Sequence, residues 1–199
     1  IIDKDSVNDL IKTQKPILPP SPGFSGTTLS VLTFSNTVRR HYDKVPISGP
    51  TQPLPEIKYD TIRPHGSTAL YDAFQAGLSI LSFSSKTSKI LLIITDGLEN
   101  SSKHVTHNKL VSIIKKSVDD GVLIKFLGGG QDAVAVGIQL GIPEDCCLSF
   151  SNDDHGMDNA IGSASKSLER HTLGKCHSFT PMERMNSLSM EQPTQHVPM

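Results

Sequence analysis

A carboxylate stands at the exit of the most apolar stretch of this chain. Residues 90–94, ILLII, run directly into Thr95-Asp96-Gly97 and then Glu99 and Asn100. Burying an aspartate at such a point is costly unless a cation or several donors surround it, so the position calls for a bound metal or for backbone amides gathered around the carboxylate. A second polar group, His65-Gly66-Ser67-Thr68-Ala69-Leu70-Tyr71-Asp72, is a glycine-containing loop that leads into a helix. Taken alone, Ser67 or Thr68 reads as a helix N-cap. Taken with Asp96, the Thr68 hydroxyl becomes a hard oxygen donor, with Ser67 as a further one. Such a set suits Mg²⁺ or Mn²⁺, which take a few protein oxygens and keep waters for exchange.

Positioning these groups requires strands that end where the polar residues begin. Apolar runs rich in β-branched residues alternate with amphipathic stretches, the pattern of an α/β fold with a mostly parallel, doubly wound sheet flanked by helices. Residues 5–15 carry Val7, Leu10 and Ile11 on one helix face, and Pro16, Pro19, Pro20 and Pro22 stop that helix. Residues 29–34 and 38–45 read as a hairpin joined through Ser35-Asn36, its second strand charged like a sheet edge. Leu70, Phe74, Leu78 and Leu81 mark a helix over 68–83. The run 90–95 is too continuously apolar for a half-exposed strand and predicts a central one, covered on both sides. A helix over 105–119 ending at Gly121, a strand over 122–127, a short helix over 131–140 closed by Gly141, a strand over 146–150 and a helix over 157–170 follow. One domain over 1–175 is expected, with 176–199, rich in Met, Ser, Gln and Pro, as a disordered tail.

On these residues the chain resembles the von Willebrand factor A family, whose metal-ion-dependent adhesion site is built from three loops. GSTALYDAF, residues 66–74, is similar to the second loop, where the threonine matching Thr68 coordinates the metal. LLIITDGLEN, residues 91–100, is similar to the third, with Asp96 as the matching carboxylate. VNDLIKTQK, LSVLTFSNTV and VLIKFLGGGQDA agree in order with the family's first helix, second strand and a later strand with its helix, so the likeness covers residues 5 to about 170. It is nearest to the stand-alone intracellular or phage-type members. The resemblance implies a protein-binding module with no catalysis, a Mg²⁺ or Mn²⁺ ion at Thr68 and Asp96, and a partner that offers the metal a carboxylate.

The family's first loop, Asp-x-Ser-x-Ser after a hydrophobic strand, has no clear counterpart. In one register Asp3 matches its aspartate, while Asp5 and Val7 stand where the serines belong. In the preferred register the helix aligns from Asp5 onward, and the first central strand and its loop are absent or lie upstream of Ile1. Two ligands are missing either way, and the neighbours of that strand are expected to expose backbone edges. A domain that binds through its surface without metal is the alternative.

Other chemistry finds less support. With 19 basic and 20 acidic residues the net charge is −1, which provides no electrostatic footprint for nucleic acid. No apolar run approaches the roughly 20 residues of a membrane helix. Gly128-Gly129-Gly130 lacks the spacing of a dinucleotide site and the lysine of a P-loop, and reads as a tight turn, with Asp132 in the first turn of the next helix. His104 and His107 are three apart, too little for zinc. Cys146, Cys147 and Cys176 are sparse and odd in number, which suits a reducing compartment, and the absence of a signal peptide points to the cytoplasm. A hydrolase would need a nucleophile pattern that does not occur. The start at Ile1 is expected to mark a fragment or processed form.

Overall fold

A computed structural model describes residues 8, 27–47, 66–82 and 88–188. The helix expected over 5–15 and Asp3 lie outside these described residues, Asn8 apart. The first described elements are the strands β1 (Thr28–Phe34) and β2 (Val38–Pro46), an antiparallel pair running from Phe34↔Val38 to Thr28↔Pro46 with an irregularity around Val31. The helix α1 (Leu70–Ser82) follows, then the strand β3 (Lys89–Thr95), the helix α2 (His107–Asp119), the strand β4 (Val122–Gly129) and the helix α3 (Ala133–Leu140). A short 3₁₀ turn (Glu144–Cys146) leads into the strand β5 (Cys147–Phe150), and the helices α4 (Asp154–Thr172) and α5 (Pro181–Ser187) end the described chain.

The order β3-β4-β5 forms a parallel sheet, with Ile93 opposite Phe126 and Leu127 opposite Leu148, and β1-β2 forms a separate one. Each strand of the parallel sheet is apolar on successive residues because both of its faces are covered. One face packs Phe74, Leu78, Leu110, Ile114, Ile93, Ile124 and Phe126 with Leu140 of α3. The other packs Leu127, Leu148 and Phe150 against Met157, Ala160, Ile161 and Ala164 of α4, with Phe179. Gly77 lets α1 approach β3 closely, since a Cβ there would fall 2.6 Å from a methyl of Leu91. The mixed α/β architecture read from the alternating pattern is therefore present. No helix among the described residues is long and apolar enough to cross a membrane.

Two expectations are corrected. The strand over 90–95 is not central among the described residues: its one strand neighbour is β4. Residues 178–188 are also not a structureless tail. Composition hides α5 because its seven residues present few apolar groups; what forms it is a capping box, with the Thr180 hydroxyl accepting from the Glu183 N–H while the Glu183 carboxylate accepts from Thr180, and a proline in the first turn. A smaller correction concerns Asp132, which is the N-cap of α3 and accepts from the Ala135 N–H.

Candidate functional site

The loop that follows β3 folds back over the start of α1, and the two segments satisfy each other's backbone. The first N–H groups of a helix have no partner inside it. Here Tyr71 N–H donates to Glu99 Oε2 at 2.9 Å and Asp72 N–H to Ser102 Oγ at 3.1 Å. Asp72 reciprocates: its carboxylate accepts from the N–H groups of Lys103, His104 and Val105 at 2.9–3.1 Å. Glu99 also accepts from Ser101 N–H, Ser102 N–H and the Ser102 hydroxyl. Burial pushes the Glu99 carboxyl up, but the donors from Ser102, Tyr71 and Ser101 outweigh it and hold the group below its ordinary 4.5.

The same latch brings the two predicted segments together. Asn100 donates its N–H to the Thr68 carbonyl at 3.0 Å and accepts the Thr68 N–H on Oδ1 at 2.7 Å. Gly97 lies so close to Thr68 that a Cβ would fall 2.5 Å from Oγ1, so only glycine leaves room for the hydroxyl at this point. Asp96, the residue before it, is exposed, and Ser67 and Thr68 are half-buried. Thr95 shapes the turn, its hydroxyl donating to the Gly97 carbonyl and accepting the Gly97 N–H. Of the sequence-predicted residues, Thr68 is thus brought against the peptide that follows Asp96, and Asp3 lies outside the described residues.

Gln131, at the carboxyl end of β4, was not among the predicted donors. Its Nε2 reaches toward the Gly97 carbonyl at 3.5 Å, and its Oε1 is buried without a hydrogen-bond partner. An unpaired buried acceptor is uncommon and asks for a water or a cation. Thr68 Oγ1, the Asp96 carboxylate and Gln131 Oε1 are all hard oxygens, and Mg²⁺ is commonly held by one or two carboxylates with several waters. The donor types therefore fit that ion, although no group of three or more His, Cys, Asp or Glu that could hold a metal occurs among the described residues. Glu99 and Asp72, the other carboxylates of the region, are taken up by backbone amides.

The remaining reactive side chains have structural surroundings. Burial pushes the Cys146 thiol up to about 11 and the Cys147 thiol to about 12, which leaves both protonated and unreactive at neutral pH. Lys125, fully buried in β4, donates to the His177 carbonyl at 2.7 Å and lies 4.4 Å from the centre of the Phe179 ring. Burial lowers its pKa, and its role is to hold the segment before α5. A lysine in the middle of an apolar strand, VLIKFL, was the available signal for such a partner. No family model matches this sequence. No curated protein matches it significantly either.

Proposed function

We propose that this chain is a non-enzymatic protein-binding module of the von Willebrand factor A type, in which Thr68 and Asp96 hold Mg²⁺ or Mn²⁺ and a partner carboxylate completes the coordination. The observation that carries this reading is the Gly97 contact, which sets the Thr68 hydroxyl beside the peptide following Asp96, so that the loop bearing the carboxylate meets the loop bearing the hydroxyl. Gln131 Oε1 adds an unpaired oxygen at the same end of the sheet. A cation bound there would act as a Lewis-acidic anchor for an acidic side chain. Thr68 and Asp96 orient it, while Glu99, Asn100 and Asp72 keep the two loops from drifting apart.

A metal-independent binding surface is the second reading, favoured by the saturation of Glu99 and Asp72 with amide donors. Calorimetric titration of Mg²⁺ and Mn²⁺ separates the two. Saturable binding that Asp96→Ala removes, with the melting temperature of the metal-free protein unchanged, is expected from the first. Heat no different from dilution for both ions would discard it in favour of the second.

A further inference from the structure

The helices α4 and α5 enclose a groove that takes no part in the latch around Thr68. On α4 it follows one face: Asn159, Gly162, Ser163 and Lys166 stand at the spacing i, i+3, i+4 and i+7, which lines side chains up along a helix. The opposite wall comes from Met182 and Glu183 of α5. The groove encloses about 270 Å³, just below the roughly 300 Å³ at which pockets for small molecules begin, a size for a small molecule rather than a peptide. Its middle is open at Gly162, where an added Cβ would meet no atom within 4 Å.

Ser163, beside that opening, is only 6% exposed, yet its hydroxyl has no hydrogen-bond partner among the described residues. Other hydroxyls of α4 are engaged: Ser167 donates to the His177 carbonyl, and Thr172 donates to the Leu168 carbonyl at 3.0 Å. A buried hydroxyl without a partner is uncommon and asks for a group to bond. Charge decides which group. The Glu183 carboxylate accepts from two nitrogens of Arg170 and from the Thr180 N–H, so the negative charge on the far wall is already paired. Asp158, at the rim, is engaged in an interaction of its own. Lys166 is exposed and forms no ion pair among the described residues. The groove therefore offers one uncommitted ammonium three residues from one uncommitted hydroxyl, on the same face of one helix.

We propose that this groove binds a small organic oxyanion, a phosphate ester or a carboxylate, which accepts from Ser163 Oγ and Lys166 Nζ. Bonds of this kind, with one partner ionised, are the strong ones. The body of the ligand lies over Gly162 and against Met182, which is 60% exposed. It is short, because the Asn159 side chain closes that end of the groove by donating to the Asn186 carbonyl at 3.0 Å. The site is independent of any cation at Thr68 and Asp96.

The test uses the whole 199-residue chain and three probes that share one body: glycerol 3-phosphate, glycerate and glycerol. Backbone amide shifts of residues 158–166 and 180–186 are followed by NMR. Saturable shifts at Gly162, Ser163 and Lys166 with one or both anions, and none with glycerol, are the expected result; the two anions compared tell phosphate from carboxylate. Lys166→Gln and Ser163→Ala should each weaken binding about tenfold, the size of one hydrogen bond to a charged group. The melting temperature of ligand-free Ser163→Ala should not fall, because the hydroxyl it removes has no bond to lose. The proposal is overturned by an absence of shifts with either anion, by equal shifts with glycerol, or by anion binding that both variants leave unchanged. A lower melting temperature for Ser163→Ala would overturn it as well, since the hydroxyl would then be engaged within the protein.

Discussion

The edge at β5 is closed by a helix that comes later in the chain, while the edge at β3 is bare among the described residues, although β3 is the more apolar strand. Hydrophobicity therefore does not decide which strand of a sheet becomes its covered edge. At β5 the covering is polar and specific: Arg170 pairs with both oxygens of Glu183 at 2.9 and 3.0 Å, which anchors α5, and Arg184 and Ser187 then reach the strand's carbonyls. At β3 nothing comparable is found among the described residues; the loop after the strand latches onto α1, and Ser88, just before it, meets His171 Nε2 at 3.3 Å. One edge is built to refuse partners. The other has a strand on one side only among the described residues.

Removing the anchor of α5 gives the largest expected effect. Arg170→Ala leaves the mostly buried Glu183 carboxylate without its cation, and breaking such a pair costs about 3 kcal/mol. Urea denaturation reads this as a lower midpoint; a loss under about 1 kcal/mol would mean that α5 is held mainly by other contacts. Arg184→Ala acts on the edge itself. It strips the donor from the carbonyls of Cys147 and Glu144 at a cost of about 1–3 kcal/mol, and it should convert β5 into an adhesive edge, seen as concentration-dependent mass in sedimentation. A variant that stays monomeric would show that α5 shields the strand by bulk alone.

On the other side, Ile94→Lys sharpens the contrast. Ile94 is only half-buried, so the charge can reach solvent, and the cost should stay near ~1 kcal/mol while any tendency to aggregate through β3 falls. Light scattering on heating measures the second effect. Collapse of the fold instead would mean that this edge is already covered.

Acid should loosen both edges, with the smallest effect. Glu183 beside β5 and Glu99 beside β3 are both held below the ordinary 4.5: burial raises each, and the donors around it, Arg170 and Thr180 for Glu183 and Ser102, Tyr71 and Ser101 for Glu99, overcome that. A carboxyl with a depressed folded value contributes stability that is complete above its unfolded pKa and is lost as pH falls through the folded value. Amide exchange at Tyr71, Ser101 and Thr180, corrected for its intrinsic pH dependence, is therefore expected to accelerate below pH 4.5 and to be flat from there to neutrality. Acceleration that begins near pH 6 would implicate histidines instead.

Much of this was legible in the linear pattern. The continuous apolar runs announced parallel strands, Gly141 with its left-handed φ of +87° ended α3 as its position after the last apolar residue requires, and Cys146 and Cys147 are core thiols. Thr68 and Asp96 could be singled out because polar residues at strand exits and helix entrances are visible without coordinates. Gln131 could not, since its significance lies in a buried oxygen left without a donor. Nor could the exchange between Glu99, Ser102 and Asp72, which depends on two segments about 30 residues apart meeting with their backbones exposed. The helix α5 escaped notice because composition is blind to a short helix held by a capping box and by side chains of other elements.

By itself the sequence determined the order of the described strands and of the helices before α5, because burial on both faces demands unbroken aliphatic runs and those helices show their own spacing. It also determined which oxygens stand at the carboxyl ends of those strands. The tertiary structure alone decided which strand has a neighbour, since hydrogen bonding across a sheet leaves no periodic mark in the chain. KILLIIT and VLIKFLGG look equally interior as text; among the described residues the first has a strand on one side and the second on both, which only the sheet order reveals.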